Sequence, residues 1–345
     1  MPKDLRSIGE LLIPVIAYGD SAGLAGENQS AEEIAMNFGW IDTLRSPTNR
    51  EIFQVEPLGR LGEWSDDTQL TLAVANGIIQ AGGFDIDAQV KHLIQAHDAS
   101  PHVRYFDNRN LGGRLMPRGW GYNTTDSVLR LKEGVSPSES GGKNALTNGV
   151  LMKLAPLVYL QHVRNTPSDI RYEQLDALTR MTHYTAEAMT FSRVHGDVLS
   201  NLLSNDGHIQ TSQNFAEFAI SRARRHEKAV GSKPLVSEAL GFLSALESAS
   251  FADVLKHTDK KGFEGHQTLA MAYGFFLSGK TFSERVYAGV NGGGDTDSIA
   301  SIAGTMSLFS DGFVDFPPDV ENIIDIAMLR STSRTLTDCA LQTPE

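Results

Sequence analysis

The sequence predicts an all-α protein, and three observations support that class. Leu70, Val74 and Ile78 recur four residues apart, which is the spacing of one apolar helix face. Residues 150–161 are also rich in leucine, and Pro156 should bend that segment or begin a new helix within it. Strand patterns are nearly absent, because no run of β-branched residues alternates with polar ones over more than a few positions.

The other helices follow from the same apolar periodicity. In chain order the predicted helices cover residues 31–38, 68–80, 86–97, 124–132, 150–161, 172–194, 213–227, 234–248, 266–278, 283–289, 298–309 and 319–330. Asp66 and Asp67 stand just before the second of these, where carboxylates favour a helix N-terminus. The segments rich in Gly, Pro, Asn and Arg are predicted surface loops at 41–63, 98–123 and 133–149. No linker or repeat of constant period divides the chain, so we predict one domain over residues 1–345.

Composition and charge exclude several classes of protein. The chain has 345 residues, 42 of them acidic and 30 of them Lys or Arg, with a formal net charge of −12 at pH 7. This acidity argues against a nucleic-acid-binding protein, because affinity for a phosphate backbone depends on clustered Lys and Arg. The single cysteine excludes a disulfide scaffold and a cysteine-based zinc site.

The N-terminal region does not match a targeting segment. The apolar run 11–17 follows Lys3 and Arg6, as in a signal peptide, but Glu10 abuts the run and Pro14 interrupts it. No stretch of the sequence reaches the ~18 apolar residues that a membrane span needs. We therefore expect a cytoplasmic protein that does not contact a membrane.

Three clusters, at 19–27, 62–68 and 291–298, combine carboxylates with glycine or hydroxyl residues beside apolar helices. Neighbouring carboxylates repel each other unless a positive charge lies between them, and a helix dipole supplies only about half a charge. Carboxylate and hydroxyl oxygens favour Mg²⁺, Mn²⁺ or Ca²⁺ over zinc. If the second and third clusters meet in space, their four Asp and two Ser would be enough to bridge two metal ions ~3.5–4 Å apart.

Simpler interpretations of these clusters stay open. Asp66 by itself is most simply a helix N-cap, because Asp is common before helices. The third cluster, with glycine at 292–294 before Asp295, also resembles a calcium loop, although the other ligands of an EF-hand are missing. Cys339 lies in a predicted C-terminal tail, so a thiol nucleophile is not expected, and no G-x-S-x-G or P-loop motif is present.

Five motifs make the sequence similar to the ADP-ribosylglycohydrolase family. They are Gly19-Asp20 with Glu27, Trp64-Ser65-Asp66-Asp67-Thr68-Gln69, Asn148-Gly149-Val150-Leu151-Met152-Lys153, Thr182-His183 with Glu187-Ala188, and Gly293-Gly294-Asp295-Thr296-Asp297-Ser298. Each is weak alone, but five in the family's order, within residues 13–310, are highly specific. The resemblance implies a compact, orthogonally packed all-α bundle with a binuclear Mg²⁺ or Mn²⁺ centre in a central cleft.

The same resemblance assigns roles to individual residues. The residues that match the family's metal ligands are Ser65, Asp66 and Asp67 in one motif and Asp295, Asp297 and Ser298 in the other. The predicted catalytic residues are Glu27, Asp66 and Asp297. Glu27 matches an acidic residue near the second metal and the scissile bond, and we expect it to orient or deprotonate the attacking water. Thr is frequent at both serine positions, and Lys153 stands where the family often has Arg, which keeps the charge but loses the planar fork.

Further residues are expected to bind ADP-ribose. By the resemblance they are Gly119, Gly121, Asn148, Gly149, Met152 and His183. Backbone N–H groups of the glycine-rich turns at 119–125, 140–144 and 148–149 could hold a pyrophosphate, although each is also an ordinary turn. His183 by itself is more simply a structural histidine. The candidates for stacking on adenine are Tyr18, Trp64, Trp120 and Tyr122.

The resemblance implies a hydrolase that removes ADP-ribose from a modified protein side chain, with N-linked ADP-ribosyl-arginine as the first choice of linkage. An O-linked serine linkage is one alternative, and a protein that binds ADP-ribose or a toxin without catalysis is another. The enzyme would reverse a regulatory modification or give immunity against an ADP-ribosylating toxin. In the second case the cognate ADP-ribosyltransferase is a candidate partner, which the loop 41–63 or the first ten residues would contact.

Overall fold

The structure is a computed structural model and describes residues 3–47, 59–107, 110–204, 212–245 and 250–342. These residues are mostly helical, which confirms the helical class predicted from the sequence. The helices are α1 Leu5–Gly23, α2 Ala31–Phe38, α3 Asp66–Ala81, α4 Ile86–Ala99, α5 Tyr122–Lys132, α6 Ala155–Val163, α7 Ser168–Arg180, α8 Ala186–Leu203, α9 Ser212–Val230, α10 Leu235–Ala239, α11 Phe251–His257, α12 Gly265–Ser278, α13 Phe282–Asn291, α14 Thr296–Asp311 and α15 Ile326–Leu341. Two 3-10 helices lie at Gly241–Ala245 and Pro318–Asn322. None of the helices described here combines the length and apolar character of a membrane span.

Helices α1 and α14 form the centre of the molecule. Every residue of α14 is buried from its start to Phe309, and α1 is buried continuously from Leu12 onwards. Gly19 of α1 lets the two helices approach closely, because a Cβ there would lie 2.6 Å from Ser301 Cα. One turn further along α1, a Cβ on Gly23 would collide with the backbone at the start of α14. The crossing therefore depends on small residues in α1.

Helix α1 is missing from the sequence prediction. Pro14 interrupts its short apolar run, and a proline inside a segment argues against a continuous helix. The apolar run at 11–17, which follows Lys3 and Arg6, made the segment resemble part of a signal peptide, whereas Pro14 spoke against one. In the structure this segment is a helix at the core, and the Asp4 side chain caps it by accepting from the Arg6 N–H at 3.1 Å.

Several predicted helices differ from the observed ones at their ends. The segment predicted as one helix at 172–194 forms two, α7 and α8, because Thr185 begins α8 as an N-cap that accepts from the Ala188 N–H. Similarly, 234–248 contains α10 and a 3-10 helix within its described part. Pro156 lies in the first turn of α6, where no helical N–H is needed. Of the two alternatives given for Pro156, a bend or a new helix, the structure therefore has the new helix. Helix α11 was not predicted.

The prediction for the C-terminal region is wrong. A 3-10 helix and then α15 replace the helix expected at 319–330, and α15 continues to Leu341. Cys339 therefore lies in a helix and not in a tail; it is 8% exposed, and its Sγ donates to the Ile78 carbonyl at 3.6 Å. Burial raises the pKa of this thiol, which is the opposite of what a nucleophilic cysteine needs.

An antiparallel hairpin of β1 His102–Asp107 and β2 Asn110–Pro117 occupies part of the predicted loop 98–123. Val103 pairs with Met116 across the strands and both are buried, whereas the neighbouring cross-strand pair is exposed. This alternation is too short to be recognised in the sequence, so the prediction of a loop here is wrong.

The other two predicted loops differ in how much the structure describes. The segment 133–149 consists of turns and isolated bridges, which confirms it as a loop. Residues 48–58 of the segment 41–63 lie outside the described part of the chain. The contact with a toxin that was expected for this segment therefore falls mostly on residues that the structure does not describe.

Candidate active site

The first acidic motif forms the start of α3, and Asp20 of α1 holds it in place. Ser65 is the N-cap of α3, and its Oγ accepts from the Asp67 N–H at 3.2 Å. The fully buried Asp20 carboxylate accepts from the Ser65 N–H at 2.9 Å, the Thr68 N–H at 3.0 Å and the Thr68 hydroxyl at 2.6 Å. These bonds satisfy main-chain donors that a helix start leaves unpaired. They also fix where Asp66 and Asp67 begin the helix.

The second acidic motif forms the start of α14, where this helix crosses α1. The Thr296 hydroxyl donates to the Gly23 carbonyl at 2.7 Å and thereby ties the first turn of α14 to the end of α1. Asp297 Oδ1 accepts from the Ser298 N–H at 2.9 Å. Just before this turn, Gly294 has a φ of +79°, and a Cβ there would collide with a neighbouring loop carbonyl. The glycine run therefore allows the backbone before α14 to pack directly against that neighbouring loop.

The structure brings the two acidic motifs together. Ser298 Oγ lies 3.3 Å from Asp67 Oδ1, although the two residues are 231 positions apart in the sequence. Asn148 joins the group from a third segment, because its Nδ2 donates to Asp295 Oδ2 at 2.8 Å. The positive ends of the α3 and α14 dipoles favour negative charge here.

Glu27 lies beside the second motif and is held there by the main chain that follows it. The Asn28 N–H donates to the Gly294 carbonyl at 2.9 Å, and the Gly294 N–H donates to the Gln29 carbonyl at 2.7 Å. Because these two bonds join the same pair of segments, the backbone next to Glu27 is fixed against the start of α14. The Glu27 side chain is partly buried.

Burial and mutual repulsion raise the pKa values of the carboxyl groups in this cluster. The pKa of Asp20 rises to about 7, first because burial disfavours its charge and second because Asp297 is close. The same two causes, in the same order, raise the pKa values of further groups well above their usual range: Glu27, Asp66, Asp67 and Asp295. Buried carboxyl groups this close together are all ionised only if a positive charge lies among them.

The donor set fits a hard divalent cation. Asp67 Oδ2 is buried and has no hydrogen-bond partner among the described residues, while Oδ1 of the same carboxylate faces Ser298. The carboxylate and hydroxyl oxygens of the two motifs are ligands that Mg²⁺ and Mn²⁺ prefer. No three His, Cys, Asp or Glu side chains in the described ranges already form a geometry that would hold a metal ion. The fit therefore rests on donor chemistry and on the unpartnered oxygen.

Two of the residues predicted to bind ADP-ribose lie directly against the acidic motifs. Gly119 has a φ of +85°, and a Cβ there would lie 3.0 Å from Asp66 Oδ1, so glycine lets this loop rest against the carboxylate. Met152 packs beneath the second motif, with Sδ 3.9 Å from Ser298 Oγ. Gly121 is the N-cap of α5, and a Cβ there would meet nothing within 4 Å, so no close approach requires glycine at this position.

His183 lies behind the site. It is fully buried, with Nδ1 2.9 Å from Thr182 Oγ1 and Nε2 2.8 Å from Thr147 Oγ1. Burial, and secondly the charge of Lys153, lower the pKa of His183 to about 3. Gly149 rests on the ring, because a Cβ there would lie 3.3 Å from His183 Cε1. Since the ring has no exposed surface, His183 fits the structural alternative and not the predicted direct contact with ADP-ribose.

The glycine turn at 141–142 does not offer its N–H groups to a ligand. The Gly141 N–H donates to the Arg180 carbonyl at 2.9 Å, and the Gly142 N–H donates to the Thr182 carbonyl at 3.0 Å. Because both donors are used within the protein, the expectation that this turn holds a pyrophosphate through them is wrong.

Two of the four aromatic candidates for adenine stacking are buried in the protein. Tyr18 is 0% exposed and Trp120 is 2% exposed, so neither ring has a free face for a base. Trp64 and Tyr122 are partly exposed and stay candidates.

Sequence reasoning missed the roles of Asp20 and Lys153 in supporting the site. The donors that Asp20 binds lie 45 and 48 residues away, so the sequence alone does not connect them. Lys153 is 2% exposed and its Nζ donates to Thr182 Oγ1 at 2.8 Å. Burial lowers the pKa of Lys153 to about 7, although the charge of Asp66 opposes this effect. The available signal was a lysine within an otherwise apolar segment, where a charge is costly without a partner.

The fold and this site belong to a known family. The profile of the ADP-ribosylglycohydrolase family matches residues 16–322, which include both acidic motifs. The chain is therefore a member of the ADP-ribosylglycohydrolase family, as the five motifs indicated. Members of this family are hydrolases that act on ADP-ribosylated substrates.

Two relatives and one solved structure are similar to this chain over most of its length. A protein of Archaeoglobus fulgidus described as uncharacterized is 26% identical over 296 residues, which are 84% of this chain and 83% of the relative. ADP-ribosylarginine hydrolase Tri1 of Pseudomonas putida is 23% identical over 289 residues, which are 82% of this chain and 68% of the relative. A solved structure called ADP-ribosylglycohydrolase-related protein complex has the same fold, with a TM-score of 0.68 at 19% identity, and covers 97% of this chain and 99% of that chain.

Proposed function

We propose that this protein is a metal-dependent hydrolase that removes ADP-ribose from N-linked ADP-ribosyl-arginine on proteins. The observation that carries this proposal is the meeting of the two acidic motifs, where Asp67 Oδ1 lies 3.3 Å from Ser298 Oγ. Gathering buried carboxyl groups from distant segments disfavours folding, so a cluster with such raised pKa values is a typical feature of a functional site. The arginine linkage is supported by the Pseudomonas putida relative, whose name states that activity.

The donor set described above is the basis for the proposed metal dependence. The residues that would hold two Mg²⁺ or Mn²⁺ ions are Ser65, Asp66, Asp67, Asp295, Asp297 and Ser298. When bound, such ions would orient the ribose hydroxyls, lower the pKa of a bound water and stabilise developing negative charge. Asp20 supports this set by fixing the start of α3, and Asn148 supports it by holding the Asp295 carboxylate.

Glu27 is the residue that we propose to act on the attacking water. The main-chain bonds of the next two residues hold it beside the start of α14, close to Asp297 and Asp295. From there its carboxylate can accept the proton of a water that attacks the anomeric carbon of the ribose. The bond between this anomeric carbon and the arginine nitrogen breaks through a state with oxocarbenium character. The neighbouring carboxylates stabilise that state electrostatically.

The proposed ADP-ribose site lies between the Gly119 loop and the Asn148–Gly149 turn. Gly119 brings its loop against Asp66, and Gly149 brings its turn onto His183, so both edges of the site are fixed by close packing. At the start of α5, Gly121 has no side chain to accept from the first helical N–H groups. The positive end of the α5 dipole favours the phosphate groups of the substrate at this edge of the site.

Turnover of defined substrates tests the proposed function. An arginine-ADP-ribosylated protein and a serine-ADP-ribosylated peptide would each be incubated with Mg²⁺ or with EDTA, and the released ADP-ribose measured. We expect release from arginine, its loss in EDTA and its recovery when Mg²⁺ or Mn²⁺ is returned. Release from serine alone would reassign the linkage. Binding of ADP-ribose without release from either substrate would refute an enzymatic function.

A matched pair of variants connects this activity to the acidic motifs. Asp67→Asn should abolish turnover because it removes a carboxylate from the proposed metal site. Asp87→Asn changes an exposed carboxylate that also lies in the first turn of a helix, and it should leave turnover unchanged. Equal turnover by the two variants would contradict the assignment of the metal ligands.

A further inference from the structure

A cleft of about 370 Å³ lies between α3 and α4, and this volume is typical of a binding pocket. Its α3 wall includes Gln69, Ala73 and Asn76, and its α4 wall includes Ala96 and Ala99. The small alanine side chains leave the space between the two walls free. Among the described residues that line the cleft, none is Asp, Glu, Lys or Arg. The cleft is therefore suited to an uncharged occupant.

The side-chain NH₂ group of Gln69 is available to an occupant of the cleft. Trp120 Nε1 donates to Gln69 Oε1 at 2.8 Å. Because an indole nitrogen can only donate, the oxygen of this amide is directed at Trp120 and its NH₂ group is directed elsewhere. That group has no acceptor among the described residues. The cleft, which Gln69 lines, therefore contains two N–H donors that an occupant can bind.

Asn76 supplies a second amide on the same wall. Residues seven positions apart share a helix face, and at 1.5 Å per residue Asn76 lies about 10.5 Å from Gln69 along α3. The Asn76 side chain is partly exposed and makes no hydrogen bond to another described residue. A single nucleobase is shorter than the separation of the two amides, whereas an extended peptide covers it with about three residues at ~3.3 Å each. The spacing therefore favours a peptide.

We propose that the cleft binds the main chain of the substrate protein next to its modified arginine, an inference that rests on the proposed function. Main-chain N–H and C=O groups carry no net charge, and every residue other than proline has one of each. The Asn76 amide can donate to the carbonyl and accept from the N–H of one peptide residue, while the Gln69 NH₂ group donates to a carbonyl further along. These contacts use groups that any sequence provides, so the cleft binds the segment whatever side chains it carries.

The cleft lies beside the proposed metal ligands. Trp64, which directly precedes Ser65, also lines the cleft, and Gln69 is one helical turn from Ser65. One turn of an α-helix is about 5.4 Å long, a distance that an extended arginine side chain covers. A modified arginine next to a segment bound at Gln69 can therefore reach the acidic motifs. The net charge of −12 supports the same partner, because an acidic protein attracts segments that contain arginine.

Two substrates with the same ADP-ribosyl-arginine test the proposal. One is the modified arginine capped at both ends, and the other carries it in the middle of a peptide of alanine and serine. Both contain the same ADP-ribose and the same bond to be hydrolysed, so a difference in kcat/KM comes from the flanking main chain. We expect the wild type to hydrolyse the peptide with a kcat/KM about 10-fold higher, as for one or two added hydrogen bonds.

Three substitutions connect this preference to the cleft. Asn76→Leu keeps the shape of the side chain and removes the amide, and Ala99→Trp fills the cleft from an exposed position on α4. Both should reduce the preference for the peptide to less than about 3-fold. Gln80→Leu is the matched control, because it removes an exposed amide one turn beyond Asn76 and outside the cleft, and it should keep the preference. The ratio of the two kcat/KM values within one variant does not depend on how much of the protein is folded.

The possible results distinguish this inference from the proposed function. If the wild type hydrolyses neither substrate with Mg²⁺ present, the proposed function fails. If it hydrolyses both with equal kcat/KM, the inference fails while the proposed function stands. If Asn76→Leu lowers both values equally, the amide contacts ADP-ribose or supports the fold, and the assignment to the peptide is refuted. A preference that survives Ala99→Trp, or that Gln80→Leu also removes, refutes it as well.

Discussion

Substitution of Gly19 by alanine is expected to separate helices α1 and α14 and to disable the site at their crossing. An added Cβ would lie 2.6 Å from Ser301 Cα and 2.7 Å from the Ala300 carbonyl oxygen, and both are main-chain atoms of α14. Carbon atoms pack at about 3.5–4.0 Å, so one helix would have to move by roughly 1 Å. Overpacking of this kind destabilises a protein by about 1–3 kcal/mol. It outweighs the roughly 0.5–1 kcal/mol that alanine gains over glycine within a helix.

The displacement should affect catalysis more than stability. Asp20, which follows Gly19, holds the start of α3, and the first turn of α14 carries Asp297. A shift of 1 Å between catalytic groups can lower turnover about 100-fold. We therefore expect Gly19→Ala to remain folded, with a lower melting temperature, and to lose most of its hydrolytic activity. Circular dichroism melts and release of ADP-ribose measure the two effects.

Gly241→Ala is the matched control, because a Cβ at Gly241 would meet nothing within 4 Å and the residue lies in a 3-10 helix that takes no part in the site. Its melting temperature and turnover should stay close to those of the wild type. The reasoning is refuted if Gly19→Ala melts and turns over substrate as Gly241→Ala does, since the crossing would then tolerate a larger separation without moving the acidic motifs.

Three further substitutions test the catalytic group, a metal ligand and the lone cysteine. Asp297→Ala should abolish turnover while the helical circular dichroism spectrum is kept, and hydrolysis near the wild-type rate would remove Asp297 from the proposed ligands. Glu27→Gln should lower kcat more than it lowers the affinity for ADP-ribose, whereas equal losses would make Glu27 a ground-state binding residue. Cys339→Ala should leave hydrolysis unchanged, and a thiol reagent should label folded wild type slowly because the thiol is 8% exposed; rapid labelling would contradict its burial.

Local apolar periodicity predicted most of the helices, including α14, which is buried on every side as far as Phe309. Helix α3 was recognised because its apolar residues recur on one side, and the carboxylates at its start matched a helix N-terminus. Helix α1 was missed because Pro14 interrupts its short apolar run, and a proline inside a segment argues against a continuous helix. The hairpin was missed because the alternation of a buried pair, Val103 and Met116, with an exposed neighbouring pair covers too few positions to be recognised in the sequence.

The candidate site, too, was predicted only in part from the sequence. Residue types and order pointed to the acidic motifs and to their family, because oxygen donors next to glycine are visible in the sequence itself. For His183, however, the same sequence reasoning left two roles open. Only its surroundings in the fold, with both ring nitrogens bonded to threonines, decided between direct contact and support from behind.

The sequence by itself determined the helical class, the family and the chemical character of the acidic motifs, since each depends on residue types and short spacings. The tertiary structure alone decided that Asp67 and Ser298 face each other across 231 positions of the chain. That meeting depends on Gly19, which allows α14 to pack closely on α1, and on Asp20, which draws the start of α3 to the same point. Such contacts arise from packing and burial between distant segments, and no local period in the sequence records them.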